Sequence, residues 1–97
     1  MLDKIKQLME IKKQADQIKR ELDATRIEVN EVRGLKIVVT GAQEFQTVEI
    51  DQDLIQADNK KSLEESLLRG INAAVKKSQN VAAEKMKNVA GLNIPGL

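Results

Sequence analysis

Apolar residues follow a helical period at both ends of this 97-residue chain and alternate with polar residues in the middle. Near the amino terminus the steps between them are three or four residues, and the members are Leu8, Ile11, Ala15, Ile18 and Leu22. Such a narrow stripe is typical of a helix that pairs with another helix. Because residues 2–24 contain no Gly or Pro, we expect one helix there, roughly 35 Å long.

Residues 27–50 change to the alternation that is typical of β-strands. The apolar members of the three alternating runs are Ile27, Val29 and Val32, then Leu35, Ile37 and Val39, then Val48 and Ile50. Gly34 and the turn at 41–43 separate these runs, so we expect a three-stranded antiparallel meander with one buried face. Phe45 falls off the parity of the third run, which predicts a bulge near Gln46.

A second helical pattern covers residues 60–90. Its apolar face consists of Leu63, Leu67, Ile71, Ala74, Val75, Ala82, Met86 and Val89. Gly70 lies inside this helix at a cost of ~1 kcal/mol relative to Ala, so we expect close packing there. Asp58-Asn59 offers a helix cap, and Ser62 with Glu65 matches a capping box.

The expected domain spans residues 1–91, with the second helix ending near Ala90-Gly91 and residues 92–97 forming a flexible tail. A helix over 60–90 is roughly 46 Å long, whereas a compact chain of this size has a diameter in the mid-30s of Å. With one Phe and no Tyr or Trp to build a core, the helix must project or be covered by a second copy. We therefore expect an α+β homodimer, in the order α-β-β-β-α, whose meander is flanked by two long helices.

The side chains that we expect to form the core or the dimer interface are apolar members of these patterns. They are Leu8, Ile11, Ile18, Leu22, Leu35, Ile37, Val39, Val48, Ile50, Leu67 and Ile71.

The residue types argue against an enzyme. The chain has no Cys and no His, which removes thiolate chemistry and the commonest general base and metal ligand. Asp51 and Asp53 fit a turn better than a catalytic pair, and the adjacent Lys77 and Ser78 do not face each other on a helix. We expect no catalytic residue, metal, cofactor or small-molecule substrate. No apolar run approaches ~20 residues and no secretory signal is visible, so we expect a cytoplasmic protein outside the membrane.

Charge is sorted along the chain. Residues 1–26 carry a net charge of +2, residues 27–57 carry −4 and residues 58–97 carry +3. Basic helices around an acidic sheet suggest that the helices face a polyanion or an acidic partner. The candidate phosphate contacts are Lys12, Lys13, Lys19 and Arg20 in the first helix and Lys76, Lys77, Lys85 and Lys87 in the second. A solvated helix face with ion pairs such as Asp16–Arg20 is the alternative.

The chain resembles the YbaB/EbfC-type nucleoid-associated proteins of bacteria over nearly its whole length. The residues that carry the resemblance are Val38-Val39-Thr40-Gly41, Phe45, the run from Val48 to Ile55, Asp58, Leu63, Leu67-Leu68, Asn72-Ala73-Ala74 and Met86. The resemblance implies an α-β-β-β-α homodimer in the nucleoid that binds double-stranded DNA, with its first helix projecting. Lys12, Lys13, Lys19 and Arg20 then become the first candidates for DNA contact, and the second-helix lysines come next.

The chain departs from the family pattern before its first long strand. The family has a Gly-rich opening there, whereas this chain has Asn30-Glu31-Val32-Arg33-Gly34, which predicts a longer first strand. A rival hypothesis is a helical interaction protein without DNA binding, because prefoldin-type chaperone subunits share the coarse helix–hairpin–helix layout. Those subunits carry longer heptad patterns than this chain.

Overall fold

The computed structural model describes residues 2–87 and contains two long helices and one antiparallel sheet, so the predicted α+β class and the α-β-β-β-α order are confirmed. The elements are α1 (Leu2–Ala24), β1 (Arg26–Val29), β2 (Leu35–Thr40), β3 (Phe45–Ile50), a 3₁₀ turn (Gln52–Leu54) and α2 (Lys60–Lys87). The helical and alternating periods of the sequence therefore mark the elements correctly.

The sheet has the strand order β1-β2-β3, with β2 in the centre and β3 at one edge. Ile37 pairs with Val48, whereas Val38 pairs with Thr47 and Val39 pairs with Phe45. The register therefore shifts by one residue and leaves Gln46 without an opposite residue. The bulge predicted near Gln46 is confirmed, and it brings Phe45 back to the face of the sheet that carries Val48.

The first strand is short and ends at Val29, so the prediction of a longer first strand is wrong. The chain turns instead, because the Leu35 amide donates to the Val32 carbonyl at 3.1 Å. Gly34 is the third residue of that turn and has a φ of +83°, a conformation that favours glycine. Its carbonyl accepts a hydrogen bond from the Asp51 amide at 2.8 Å, which ties the loop to the end of β3.

The hydrophobic core lies between α2 and the face of β1 and β2 that points toward it. Its buried side chains are Ile27, Val29, Leu35, Ile37, Val39 and Ala74. A Cβ atom on Gly70 would lie 2.6 Å from Leu35 Cδ2 and 3.0 Å from Ile37 Cδ1, so the expected close packing is confirmed. A glycine is tolerated inside the helix because it lets the helix backbone approach the sheet.

Helix α2 begins at Lys60, two residues before the serine of the predicted capping box. The Leu63 amide donates to the Asn59 carbonyl at 2.9 Å, so Asn59 occupies the capping position. Ser62 lies inside the first turn, and its capping box with Glu65 is wrong because a capping residue precedes the helix.

Several predictions fall on residues 88–97, which lie outside the described part. They are Val89 on the apolar face, the helix end near Ala90-Gly91 and the tail at 92–97. The domain boundary at residue 91 stays an expectation.

Helix α1 projects from the rest of the molecule. Its contacts lie near its carboxyl end, where Ile18 is buried and Leu22 packs against Gly41, while most of residues 2–17 are exposed. The radius of gyration is 18.5 Å and the longest dimension is 67 Å, whereas a compact domain of this length has a radius of gyration near 13 Å. The projection of the first helix, which the family resemblance implies, is thus found in the structure.

Candidate nucleic-acid interface

Helix α1 carries a stripe of basic side chains opposite its apolar stripe. Lys6, Lys13 and Arg20 follow one another at seven-residue intervals, so their side chains leave the helix in nearly the same direction, about 10.5 Å apart along its axis. On the opposite side lie Leu8, Ala15 and Leu22, which share another seven-residue spacing. We call Lys6, Lys13 and Arg20 the basic stripe of α1.

The four basic residues predicted as DNA contacts in this helix divide between two directions. Lys13 and Arg20 belong to the basic stripe, whereas Lys12 and Lys19 lie about 100° around the helix, beside the apolar stripe. Asp16 lies between the two pairs, so its carboxylate offsets part of their charge. The strongest positive potential is therefore expected along the basic stripe itself.

The basic stripe is exposed to solvent along its length. Within residues 2–87, no carboxylate lies within 4.0 Å of the charged nitrogens of Lys6, Lys13 or Arg20. The Arg20 Nε donates to the Asp16 carbonyl oxygen at 3.5 Å, at the long limit for a hydrogen bond. The structure does not contain the predicted Asp16–Arg20 ion pair, and the guanidinium stays exposed.

The basic residues predicted in α2 also divide by direction. Lys76 and Lys87 are eleven residues apart and lie on the face opposite the buried Ala74, together with Arg69 seven residues before Lys76. Lys77 points to a neighbouring face. Lys85 is half-buried, and its Nζ lies 4.0 Å from Glu21 Oε2 of α1, so it joins the two helices.

Both basic helices leave the sheet from the same end. The Ser78 hydroxyl of α2 donates to the Thr40 carbonyl at the end of β2, at 2.7 Å. At that same end Leu22 of α1 packs against Gly41. The carboxyl-terminal part of α2 and the whole of α1 therefore extend beyond the same edge of the molecule.

Acidic side chains lie on and around the sheet. Lys36 Nζ is 3.3 Å from Glu28 Oε1 and 3.8 Å from Glu49 Oε2 on the face away from α2. These groups are largely exposed, so each pair contributes little to stability. Asp51 and Asp53 follow β3 at the end of the sheet far from α1, and Gln52–Leu54 forms the predicted turn. Residues 27–57, which form the sheet and the turn after it, carry a net charge of −4, which disfavours a polyanion beside the sheet.

Two residues of this surface were absent from the predicted contacts, namely Lys6 and Arg69. The seven-residue spacing from Lys6 to Lys13 and from Arg69 to Lys76 could have found both. Within residues 2–87, no three His, Cys, Asp or Glu side chains converge as a metal site would require, and neither helix is long and apolar enough to cross a bilayer.

Comparison with known proteins gives one consistent result. The sequence profile of the YbaB/EbfC DNA-binding family matches residues 1–92. A nucleoid-associated protein of Thermoanaerobacter pseudethanolicus is 32% identical over 95 residues, which cover 96% of this chain and 86% of that protein. Another from Persephonella marina is 36% identical over 85 residues, which cover 84% of this chain and 77% of the relative.

Proposed function

Since the chain belongs to the YbaB/EbfC DNA-binding family, we propose that it binds double-stranded DNA as a homodimer, in an organising or regulatory role. The basic stripe of α1 carries the proposal. It presents three exposed cations on a projecting helix, on the side opposite the apolar stripe. A projecting helix can reach along a duplex without the acidic sheet approaching the phosphates.

The chemistry of the stripe favours contact with the phosphate backbone. Lys and Arg side chains that displace condensed counterions give binding that depends on salt and little on sequence. Base stacking requires exposed aromatic side chains, and Phe45 is the one aromatic residue of the sequence, so the basic stripe itself contains no aromatic residue on which bases could stack. Double-stranded DNA is therefore the proposed target, with Lys76, Lys87 and Arg69 as further contacts.

Self-association is supported by surfaces that one protomer leaves uncovered. Leu8 and Ile11 on α1 and Val48 on β3 are each half exposed or more. Monomeric proteins rarely expose such apolar residues in contiguous patches unless the patches bind a partner. A dimer also supplies two copies of the basic stripe, which raises the affinity for one DNA molecule through effective concentration.

The relatives are described as nucleoid-associated proteins, and we extend that location to this chain. The proposed activity is binding without catalysis, and it needs no metal, cofactor or small-molecule substrate.

The test is a titration of the protein into labelled duplex DNA at several salt concentrations, with its mass in solution measured alongside. We expect a dimer whose log affinity falls linearly and steeply with log salt, and similarly for DNAs of unrelated sequence. A folded dimer that leaves DNA unbound even at the lowest salt concentration would refute the proposal.

A chaperone-like interaction protein is the second candidate, because the apolar stripe on α1 is exposed as well. Suppression of the aggregation of an unfolded client, without any DNA binding, would favour this alternative.

A further inference from the structure

The apolar stripe of α1 is covered by its own protomer only near the carboxyl end of the helix. Ile18 is buried there and Leu22 is half-buried. Leu8 and Ile11 belong to the same stripe, yet they are 66% and 52% exposed. Over residues 4–15, about 16 Å or three helical turns of the stripe are thus left largely uncovered by the rest of residues 2–87.

The uncovered stripe has the spacing of a coiled-coil seam. Leu8 and Ala15 are seven residues apart and occupy one core position of a seven-residue repeat. Ile11 occupies the second core position, and Lys4 stands seven residues before it. In such repeats the two core positions face the partner helix, and charged residues at the flanking positions select that partner.

Lysines follow one border of this seam. Lys12 and Lys19 are seven residues apart at one flanking position, and both are exposed, as is Lys4. Within residues 2–87, no carboxylate oxygen lies within 4.0 Å of the ammonium groups of these three lysines. Asp16 and Asp23 lie one step further around the helix, so the charge nearest the seam is positive.

We propose that this surface binds an acidic amphipathic helix of another protein. We call it the lysine-bordered seam, and its members are Lys4, Leu8, Ile11, Lys12, Ala15 and Lys19. The partner would place leucine or isoleucine against Leu8 and Ile11, and glutamate or aspartate beside the lysines. This inference goes beyond the binding of DNA, and its first test requires no DNA.

A second copy of α1 is a poor occupant of the seam. A parallel pair would bring the two Lys4 ammonium groups together at a core position, where unpaired charges are costly to desolvate. In an antiparallel pair, the flanking positions that carry Lys12 and Lys19 would meet each other, and the lysines would repel. An acidic helix avoids both conflicts, so the charges select against the copy and in favour of the acidic partner.

Duplex DNA is also a poor occupant, because phosphate groups would leave Leu8 and Ile11 without an apolar partner. The basic stripe of α1 lies on the opposite side of the helix. A helix is about 10 Å in diameter, which exceeds the Debye length of ~8 Å at physiological salt. An acidic helix and a DNA duplex can therefore bind to opposite sides of α1 at the same time.

The probe for this inference is a designed, fluorescently labelled peptide of about three heptads, with leucine at both core positions and glutamate at both flanking positions. A second peptide carries lysine in place of every flanking glutamate. The anisotropy of each peptide is measured as wild-type protein is added without DNA. We expect the glutamate peptide to bind at least about 10-fold more tightly than the lysine peptide. Equal affinities, or no binding of the glutamate peptide, would overturn the inference.

A pair of charge variants locates the bound peptide. Changing Lys12 and Lys19 together to glutamine should weaken binding of the glutamate peptide by about 10-fold, because its carboxylates lose their partners. The matched control changes Lys60 and Lys61 to glutamine, which removes the same charge from exposed positions of α2. The control should bind the peptide as the wild type does. Equal effects of the two variants would contradict the assigned surface.

A pair of leucine variants tests the apolar part of the seam. Leu8→Ala should also weaken peptide binding by about 10-fold. Leu2→Ala makes the same change at an exposed position of α1 that lies about 120° around the helix from Leu8, and it should have little effect. Both leucines are exposed, so neither substitution should prevent folding. A peptide affinity that ignores Leu8→Ala would refute the seam.

The remaining occupants give different results. Dissociation of the homodimer by Leu8→Ala, measured as mass in solution, would assign the seam to a second copy and overturn the inference. Displacement of the peptide from the wild-type protein by saturating duplex DNA would assign Lys12 and Lys19 to phosphate groups and overturn it as well. A protein that binds the peptide and ignores DNA would refute the proposed function alone.

Discussion

At the scale of single residues, Thr40 and Ser78 join the turn after β2 to α2. The Thr40 Oγ1 accepts hydrogen bonds from the Ala42 amide at 3.2 Å and the Glu44 amide at 3.1 Å. Its carbonyl accepts from the Ser78 hydroxyl at 2.7 Å and from the Gln43 amide at 3.1 Å. Both side chains are buried, so water cannot easily take the place of a partner if one of these hydrogen bonds is lost.

This network predicts unequal effects of two small substitutions. Thr40→Val keeps the side-chain shape but removes the acceptor of two amides, so we expect the free energy of unfolding to fall by about 2 kcal/mol. Ser78→Ala should cost only about 1 kcal/mol, because the Thr40 carbonyl keeps the amide of Gln43. Urea denaturation monitored by circular dichroism measures both values.

Thr47→Val on β3 serves as the control, since it makes the same chemical change at a less buried position of the sheet. We expect it to change stability by less than Thr40→Val. A larger loss of stability from Ser78→Ala than from Thr40→Val would contradict the prediction that the Thr40 hydroxyl contributes more to stability than the Ser78 hydroxyl.

At the scale of the element, α1 acts as an arm with two opposite functional sides. The buried Ile18 and the half-buried Leu22 fasten its carboxyl end to the sheet and α2, and the Lys85–Glu21 pair adds a polar contact there. The remaining turns keep their basic stripe exposed. Because the seven-residue spacing aligns Lys6, Lys13 and Arg20, these three side chains should contact the same DNA duplex together.

The basic stripe can be tested by changing Lys6, Lys13 and Arg20 together to glutamine. If each contacts one phosphate in both protomers of the proposed dimer, six contacts are lost, and the slope of log affinity against log salt should become less steep by about 5.4. Fluorescence anisotropy with labelled duplex DNA at several salt concentrations gives this slope.

The matched control changes Arg33, Lys60 and Lys61 to glutamine. These three residues are exposed at the end of the sheet far from α1 and carry the same total charge. We expect a small change in slope for this control. Equal effects of the two variants on the slope would mean that overall charge, and not the basic stripe, governs binding. An unchanged slope in the stripe variant would indicate that α2 makes the phosphate contacts.

At the scale of the whole molecule, shape and charge are arranged along one long axis. The basic helical segments extend from one end of the sheet, and acidic residues gather around the sheet and at its other end. The proposed homodimer would carry one basic stripe on each protomer. The dimer would then hold DNA with two arms.

This arrangement predicts that dissociating the dimer weakens the salt dependence. At protein concentrations low enough for the dimer to dissociate, the protein should show about half the slope that it shows as a dimer, because one arm contacts half as many phosphates. Fluorescence anisotropy at two protein concentrations, with the mass in solution measured alongside, gives both slopes. A full slope under conditions where the protein is monomeric would show that the two arms do not act together.

The sequence by itself determined the elements and their order. The bounds of α1, β2 and β3 and the bulge at Gln46 all follow from periods of a few residues, whereas the end of β1 does not. Such periods are decided by neighbours along the chain, because side-chain direction repeats every two residues in a strand and every 3.6 in a helix. The same spacing rule defines the basic stripe, which includes Lys6 in addition to the predicted contacts Lys13 and Arg20.

Only the tertiary structure decided which apolar residues are buried. Ile18 and Ile11 belong to one stripe, yet Ile18 is buried and Ile11 is exposed, since α2 and the sheet reach only the end of α1. Gly70 and Ala74 are buried where α2 packs on the sheet, whereas the larger Ile71 is left partly exposed. Burial depends on which distant segment covers a side chain, and the spacing of residues within one element does not predict which segment that is.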